Sequence, residues 1–128
     1  MKSIEVVAAI IKDKDKILAT RRGYGEFINM WEFPGGKVEP GETKEEALHR
    51  EIQEELKVSI SIDKYLKTIE YDYPNFHLVL HSYLCSISEG TIQLMEHNAA
   101  KWVTKSEIDS LEWLPADDEI IRLLKETI

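Results

Sequence analysis

The sequence predicts an α/β fold in which a mixed β-sheet is packed between helices. Three observations carry this: a β-branched apolar run at residues 4–11, a capped amphipathic helical pattern at residues 43–57, and a second helical pattern at the end of the chain, with strand-like segments between the two. At 128 residues and 43% hydrophobic, the chain can build one core and is too short for two ordinary domains. Residues 1–128 are therefore read as a single domain.

The elements follow in order. IEVVAAII (residues 4–11) is nearly all apolar, which suits a strand buried on both faces; KDKDK is a solvated turn, and ILATRR (17–22) returns as the second strand of a hairpin. Residues 23–41 hold five of the six glycines and two prolines, so this stretch is read as loop with short strands. Such a long irregular segment in a small domain carries function more often than not. Thr43, followed three residues later by Glu46, forms a capping box, and Ala47, Leu48, Ile52 and Leu56 recur at helical spacing, which predicts a helix over 44–57. Residues 59–74 and 76–87 read as strands joined by a turn at Pro74-Asn75, 99–104 as a short strand, and 105–111 as a helical turn. The last helix is expected over 115–128, with Asp117 and Asp118 as candidate caps and Ile120, Ile121 and Leu124 on one face.

Charge narrows the functional classes. A net charge of -8 argues against an extended nucleic acid polymer as partner, which requires a basic face. A small phosphorylated ligand remains compatible, because a divalent cation can mediate between carboxylates and phosphates. Cys85 is the only cysteine, is expected to be a buried small hydrophobe, and fits a reducing cytoplasm. The N-terminal apolar run is too short to cross a membrane and has the wrong shape for a signal peptide. No membrane partner is expected, and the protein is expected as a monomer or homodimer.

The helix over 44–57 poses an electrostatic problem. With Leu48 as origin and about 100° per residue, Ile52 and Leu56 lie in an apolar stripe of about 80°, and Glu55, Glu51 and Glu54 follow in that order around an adjacent arc of about 100°. The three carboxylates share a face, repel as i,i+3 and i,i+4 pairs, and two of them sit near the helix C-terminus, where the macrodipole disfavours negative charge. Arg50 supplies local relief at i,i+4 to Glu54. Hard oxygen ligands clustered beside a glycine-rich loop suit Mg²⁺, with Mn²⁺ as an alternative, and no His or Cys pattern suggests zinc.

Gly36, Glu42, Arg50-Glu51-Ile52, Glu54-Glu55, Lys57 and Val58 form a spaced set over 23 positions. This set resembles the Nudix box of the MutT-type nucleoside triphosphate pyrophosphohydrolases. WEFPGGK before it and EYDYP, EHNAAKW and LPADDEIIRLL after it extend the resemblance over nearly the whole chain, to MutT-type members and their cytidine-triphosphate-preferring relatives. The fold implied is the Nudix α/β/α sandwich. One position departs: the family usually has Gly where Lys57 stands, a residue that ends the helix in a left-handed conformation which a Lys adopts at a cost of roughly 1 kcal/mol. An altered helix end is therefore expected, with catalysis retained because no ligand position is touched.

The resemblance implies that Glu51, Glu54, Glu55, the Gly35 carbonyl and Glu96 hold the metal, that Arg50 orients the glutamates, and that Glu42 supports the loop or an outer metal. Either Glu51 or Glu96 acts as general base. Arg22 is read as a clamp on phosphate oxygens or as one half of an ion pair. The base slot is expected from Ile4, Val6, Ala8, Glu32, Phe33, Phe76 and Asp117, beside Gly35 and Gly36. An ionised Asp117 can only accept, which suits cytosine N4; a protonated one also donates, which suits the N7–H and O6 edge of an oxidised purine. The expected substrate is a damaged nucleoside triphosphate, 8-oxo-dGTP first and CTP or a 5-substituted dCTP second, giving a nucleoside monophosphate and pyrophosphate in nucleotide-pool sanitation and DNA repair. A nucleotide-binding module without hydrolytic activity is the alternative from another class.

Overall fold

β1 (Lys2–Asp13) organises the computed structural model, which describes residues 2–127. It runs parallel to β6 (Phe76–Glu89), with residues 2–11 facing 76–85, and antiparallel to the three-residue β4 (Gly35–Lys37). With β2 (Lys16–Arg22) it shares only two pairs, Lys12↔Ile17 and Asp13↔Lys16. The expected hairpin therefore exists at its turn and then splays. β2 continues against β7 (His97–Thr104) and the two-residue β3 (Trp31–Glu32), while β5 (Ser59–Tyr73) pairs with β6 along the opposite edge. The result is a mixed seven-stranded sheet.

Alternation in β1 divides the core. Val7, Ala9 and Ile11 pack with Ala47, Leu48, Ile52 and Leu56 of α1 (Lys44–Leu56); Ala8 and Ile10 pack on the other side with Ile120, Ile121 and Leu124 of α2 (Asp118–Thr127). A strand buried on both faces has no solvent face to favour polar residues, so it reads as a continuous apolar run. Cys85 lies in the α1-side core. Ile128, the expected end of the last helix, lies outside the described residues. No helix among those described is long and apolar enough to cross a membrane.

Both ends of α1 are set by sequence. The Thr43 hydroxyl accepts the Glu46 N–H at 3.1 Å and the Glu46 carboxylate accepts the Thr43 N–H at 2.8 Å, which satisfies two orphan donors of the first turn. The altered helix end expected from Lys57 does not occur: Lys57 closes the helix with φ 59° and ψ 32° and its N–H bonds Gln53 O, taking up the left-handed conformation that glycine would adopt without strain. The α1 carbonyls nearby are then capped from afar: Gln93 N–H donates to Leu56 O and Met95 N–H to Glu55 O. Some boundaries differ from expectation. β7 starts at His97, two residues before the apolar pair Ala99-Ala100, because pairing with Arg22 extends it; α2 starts at Asp118, after a separate 3-10 turn over Pro115–Asp117.

Candidate active site

The glutamates of α1 are graded by their angular position. Glu55, next to the apolar stripe, is buried; the Glu51 side chain is 15% exposed and that of Glu54 58% exposed. Arg50 ties this wall to the loop before it. Its guanidinium donates through Nε and Nη2 to the two oxygens of Glu42 (2.7 and 2.9 Å), through Nη1 to Glu51 at 2.8 Å and Glu54 at 3.4 Å, and through Nη2 to the Lys37 carbonyl. The hydrogen bond from Arg50 holds Glu42 down to about 2. Glu42 also accepts the Glu39 N–H, so it fixes the loop through Arg50.

The glycine turn presses on the same wall. A Cβ at Gly36 would collide with the Glu51 carboxylate, and one at Gly35 with the Val7 carbonyl of β1, so both close approaches require glycine. Gly35 N–H donates to Glu55 Oε1 at 3.1 Å. Burial, the Glu51 charge and contacts with Glu96 push Glu55 up to about 9. Burial also raises Glu51, which Arg50 opposes and Glu54 and Glu96 reinforce. Glu96 reaches this cluster because the segment before it is bonded along the end of α1; it accepts the Tyr24 hydroxyl at 3.2 Å.

Among the described residues no three acidic, His or Cys side chains form a ready-made coordination cluster; Arg50, Gly35 and Tyr24 hold the carboxylates instead. The donor chemistry nonetheless fits a hard divalent cation. All the candidate ligands are oxygens, and burial together with the Glu51 and Glu96 carboxylates opposes ionisation of Glu55, a cost that a bound cation would offset.

The wall opens into a cavity of about 590 Å³ that is also lined by aromatic and aliphatic side chains. Arg22, Glu32, Phe33, Gly35, Gly36, Glu51, Glu54, Glu55, Phe76, Glu96 and Asp117 all line it, as do Ile4, Val6 and Ala8; Arg50 and Glu42 stand behind the wall. Asp117 is 5% exposed, and burial, with the Glu32 charge, raises it well above its ordinary value, while the Phe33 N–H bonded to it opposes the shift. Its turn is tethered to β3, since Leu114 N–H donates to Trp31 O and Asp117 N–H to Leu114 O. Asp117 thus faces the cavity from the turn that precedes α2.

Arg22 is placed differently from a free phosphate clamp. Its Nη2 donates to Glu32 Oε1 at 2.7 Å and its Nε to Oε2 at 3.4 Å, so the guanidinium is paired on the cavity wall. Burial opposes ionisation of Glu32, and hydrogen bonds from His97 and Arg22 outweigh it and lower the carboxyl.

Several lining residues escaped the sequence reading. Tyr73 stacks on Phe76 (5.0 Å) and tilts against Phe27 (5.5 Å), and its hydroxyl accepts the Ala116 N–H beside Asp117. Tyr24 and His97 also line the cavity. The alternation that ends β5 at Tyr71 and Tyr73 was the available signal for Tyr73; nothing local marks Tyr24 or His97, because strand pairing brings them there.

The NUDIX domain family model matches residues 1–124. The chain is 39% identical over 118 residues to the CTP pyrophosphohydrolase of Escherichia coli strain K12, covering 91% of this chain and 87% of that protein. It is 32% identical over 127 residues to the 8-oxo-dGTP diphosphatase of the same strain, covering 98% of each. The solution NMR structure of DNA mismatch repair protein MutT (Nudix hydrolase family) from methicillin-resistant Staphylococcus aureus 252 matches with a TM-score of 0.78 at 38% identity, covering 98% of each chain. With that breadth of likeness, and with the acidic helix and glycine turn meeting in one cavity, the chain belongs to the Nudix family of hydrolases.

Proposed function

We propose that this protein is a nucleoside triphosphate pyrophosphohydrolase of the cytoplasm, dependent on Mg²⁺ or Mn²⁺, that converts 8-oxo-dGTP to its monophosphate and pyrophosphate and so serves nucleotide-pool sanitation and DNA repair. The observation that carries this reading is that one cavity is lined both by the carboxylate wall and by aromatic and aliphatic side chains together with buried Asp117. A triphosphate laid along it has its phosphates at the wall and its base at Asp117.

Glu51, Glu54, Glu55, Glu96 and the Gly35 carbonyl would hold the cation, which when bound neutralises phosphate charge and makes phosphorus more open to attack. The chain's own residues do the rest. Arg50 keeps Glu51 in place, and Glu51 or Glu96 takes the proton of the attacking water as its oxygen bonds to phosphorus and the anhydride P–O bond breaks. Pyrophosphate leaves. At the other end, a protonated Asp117 accepts from N7–H and donates to O6, a pair of bonds that an unoxidised guanine, with N7 as acceptor, cannot match.

A second reading, CTP or a 5-substituted dCTP as substrate, is favoured by the 39% identity to the E. coli CTP pyrophosphohydrolase, and would use Asp117 as acceptor from cytosine N4. Steady-state kcat/KM on 8-oxo-dGTP, dGTP, CTP and 5-methyl-dCTP separates the two. The oxidised-purine reading expects 8-oxo-dGTP to exceed dGTP by at least about tenfold. Equal values for those two overturn it, and CTP above both establishes the second.

A further inference from the structure

Glu96 is exposed, and among the described residues its carboxylate is held from outside α1 only by the Tyr24 hydroxyl, so its placement depends on how the backbone is anchored on each side of it. On one side Met95 N–H is bonded to Glu55 O. On the other stands His97, whose side chain is 4% exposed on the cavity wall.

His97 Nε2 lies 3.3 Å from Glu32 Oε2, and Glu32 is gripped by both Nε and Nη2 of Arg22. Arg22 and His97 are also backbone partners at the end of the β2–β7 ladder, just past a register shift between Arg21 and Arg22. Irregular pairing of this kind bends a strand and loosens its ladder. The three side chains close a ring over that irregularity. The packing is tight, since a Cβ on Gly23 would stand 2.6 Å from the Glu96 carbonyl.

A carboxylate only accepts, so Nε2 carries the hydrogen shared with Glu32. Nδ1 is buried with no hydrogen-bond partner among the described residues. An imidazole with one nitrogen orphaned is a poorer core filler than an aliphatic side chain, because the desolvated atom goes uncompensated. The single bond to Glu32 is what the imidazole adds.

We propose that His97 is a positioning residue for Glu96, acting through the closed Arg22–Glu32–His97 ring; this rests on the reading of Glu96 as a working carboxylate of the hydrolytic site. Arg22 belongs to the same device, which accounts for its guanidinium being paired with Glu32. Glu96 and the slot are then coupled by construction, because Glu32 precedes Phe33, whose N–H bonds Asp117.

The test is steady-state hydrolysis of 8-oxo-dGTP at saturating Mg²⁺ by His97→Gln, His97→Asn, Glu96→Gln and the Glu96→Gln/His97→Asn double variant. Gln can place a donor where Nε2 stands and Asn cannot reach it. His97→Asn is expected to lower kcat roughly 10- to 100-fold, the usual effect of losing a group that orients a ligand, with KM within about threefold. His97→Gln should stay within about threefold of the wild type in kcat. In the Glu96→Gln background, His97→Asn should add no further loss, as expected for two residues acting through one group. A His97→Asn enzyme with wild-type kcat, one altered only in KM, or full additivity in the double variant overturns the proposal while the role of Glu96 stands. Wild-type turnover by Glu96→Gln removes that role and the proposal with it.

Discussion

Replacing Glu55 with glutamine should stabilise the cation-free protein at neutral pH and abolish its response to divalent cations. The folded-state carboxyl is pushed up to about 9 from an ordinary 4.5 by burial, by Glu51 and by Glu96. A raised acid binds its proton more tightly when folded, so the stability it contributes is complete below 4.5, declines as pH rises, and is fully lost once pH passes about 9. At pH 7 the unfolded carboxyl is about 2.5 pH units beyond its midpoint while the folded one is still protonated. At about 1.4 kcal/mol per unit, roughly 3 kcal/mol of that contribution has gone. Glutamine ionises in neither state. Its oxygen can keep the Gly35 N–H bond, and its amide can donate toward Glu51 or Glu96. Urea unfolding with chelator present, at pH 5, 7 and 8.5, should show Glu55→Gln gaining on the wild type as pH rises, by up to about 3 kcal/mol at pH 7, a shift on the order of 10 °C in Tm. Millimolar Mg²⁺ should then raise the wild type and leave the variant nearly unmoved. A variant less stable than the wild type at pH 7, or a difference constant across pH, would refute the reasoning.

Three other outcomes are expected. Lys57→Gly relieves a left-handed residue outside the cavity and should raise the urea midpoint by up to about 1 kcal/mol with m and turnover unchanged; a lower midpoint contradicts this. Asp117→Leu removes both hydrogen-bonding functions whereas Asp117→Asn keeps a donor and an acceptor, so kcat/KM for 8-oxo-dGTP should be about 10- to 100-fold lower in the first than in the second; equal values would take Asp117 out of base recognition. His77 bonds Asp72 at 2.6 Å and Glu70 at 2.8 Å, which raises it above its usual 6.5. Its contribution to stability is therefore complete below pH 6.5 and lost as pH rises through the folded value. An NMR titration should show a midpoint above 6.5 that falls in Asp72→Asn, and an unmoved midpoint would exclude the Asp72 contact.

Local signals carried most of the fold. The Thr43–Glu46 box, the apolar stripe of α1 and the Pro74-Asn75 turn each depend on residues within one or two turns of chain, and all three are in place. The order Glu55, Glu51, Glu54 around the helix, worked out from angular spacing, reappears as their order of exposure. What was not legible depends on long-range pairing. That β1 and β2 separate after two pairs follows from β6 and β7, whose paired residues lie 74 to 88 positions away, claiming their edges. The ion pair that engages Arg22 and the arrival of His97 and Tyr24 at the cavity have the same origin. The sequence leaves two ionisation states open for Asp117; its burial, with the Glu32 charge beside it, favours the protonated one, and both come from long-range packing.

The most direct test of the carboxylate wall as a cation-dependent hydrolytic centre is quantification of products from 8-oxo-dGTP with Mg²⁺ and with chelator. The expected result is one pyrophosphate per monophosphate with Mg²⁺ and no turnover with chelator. Orthophosphate and a diphosphate as products, or undiminished turnover with the cation removed, would contradict it.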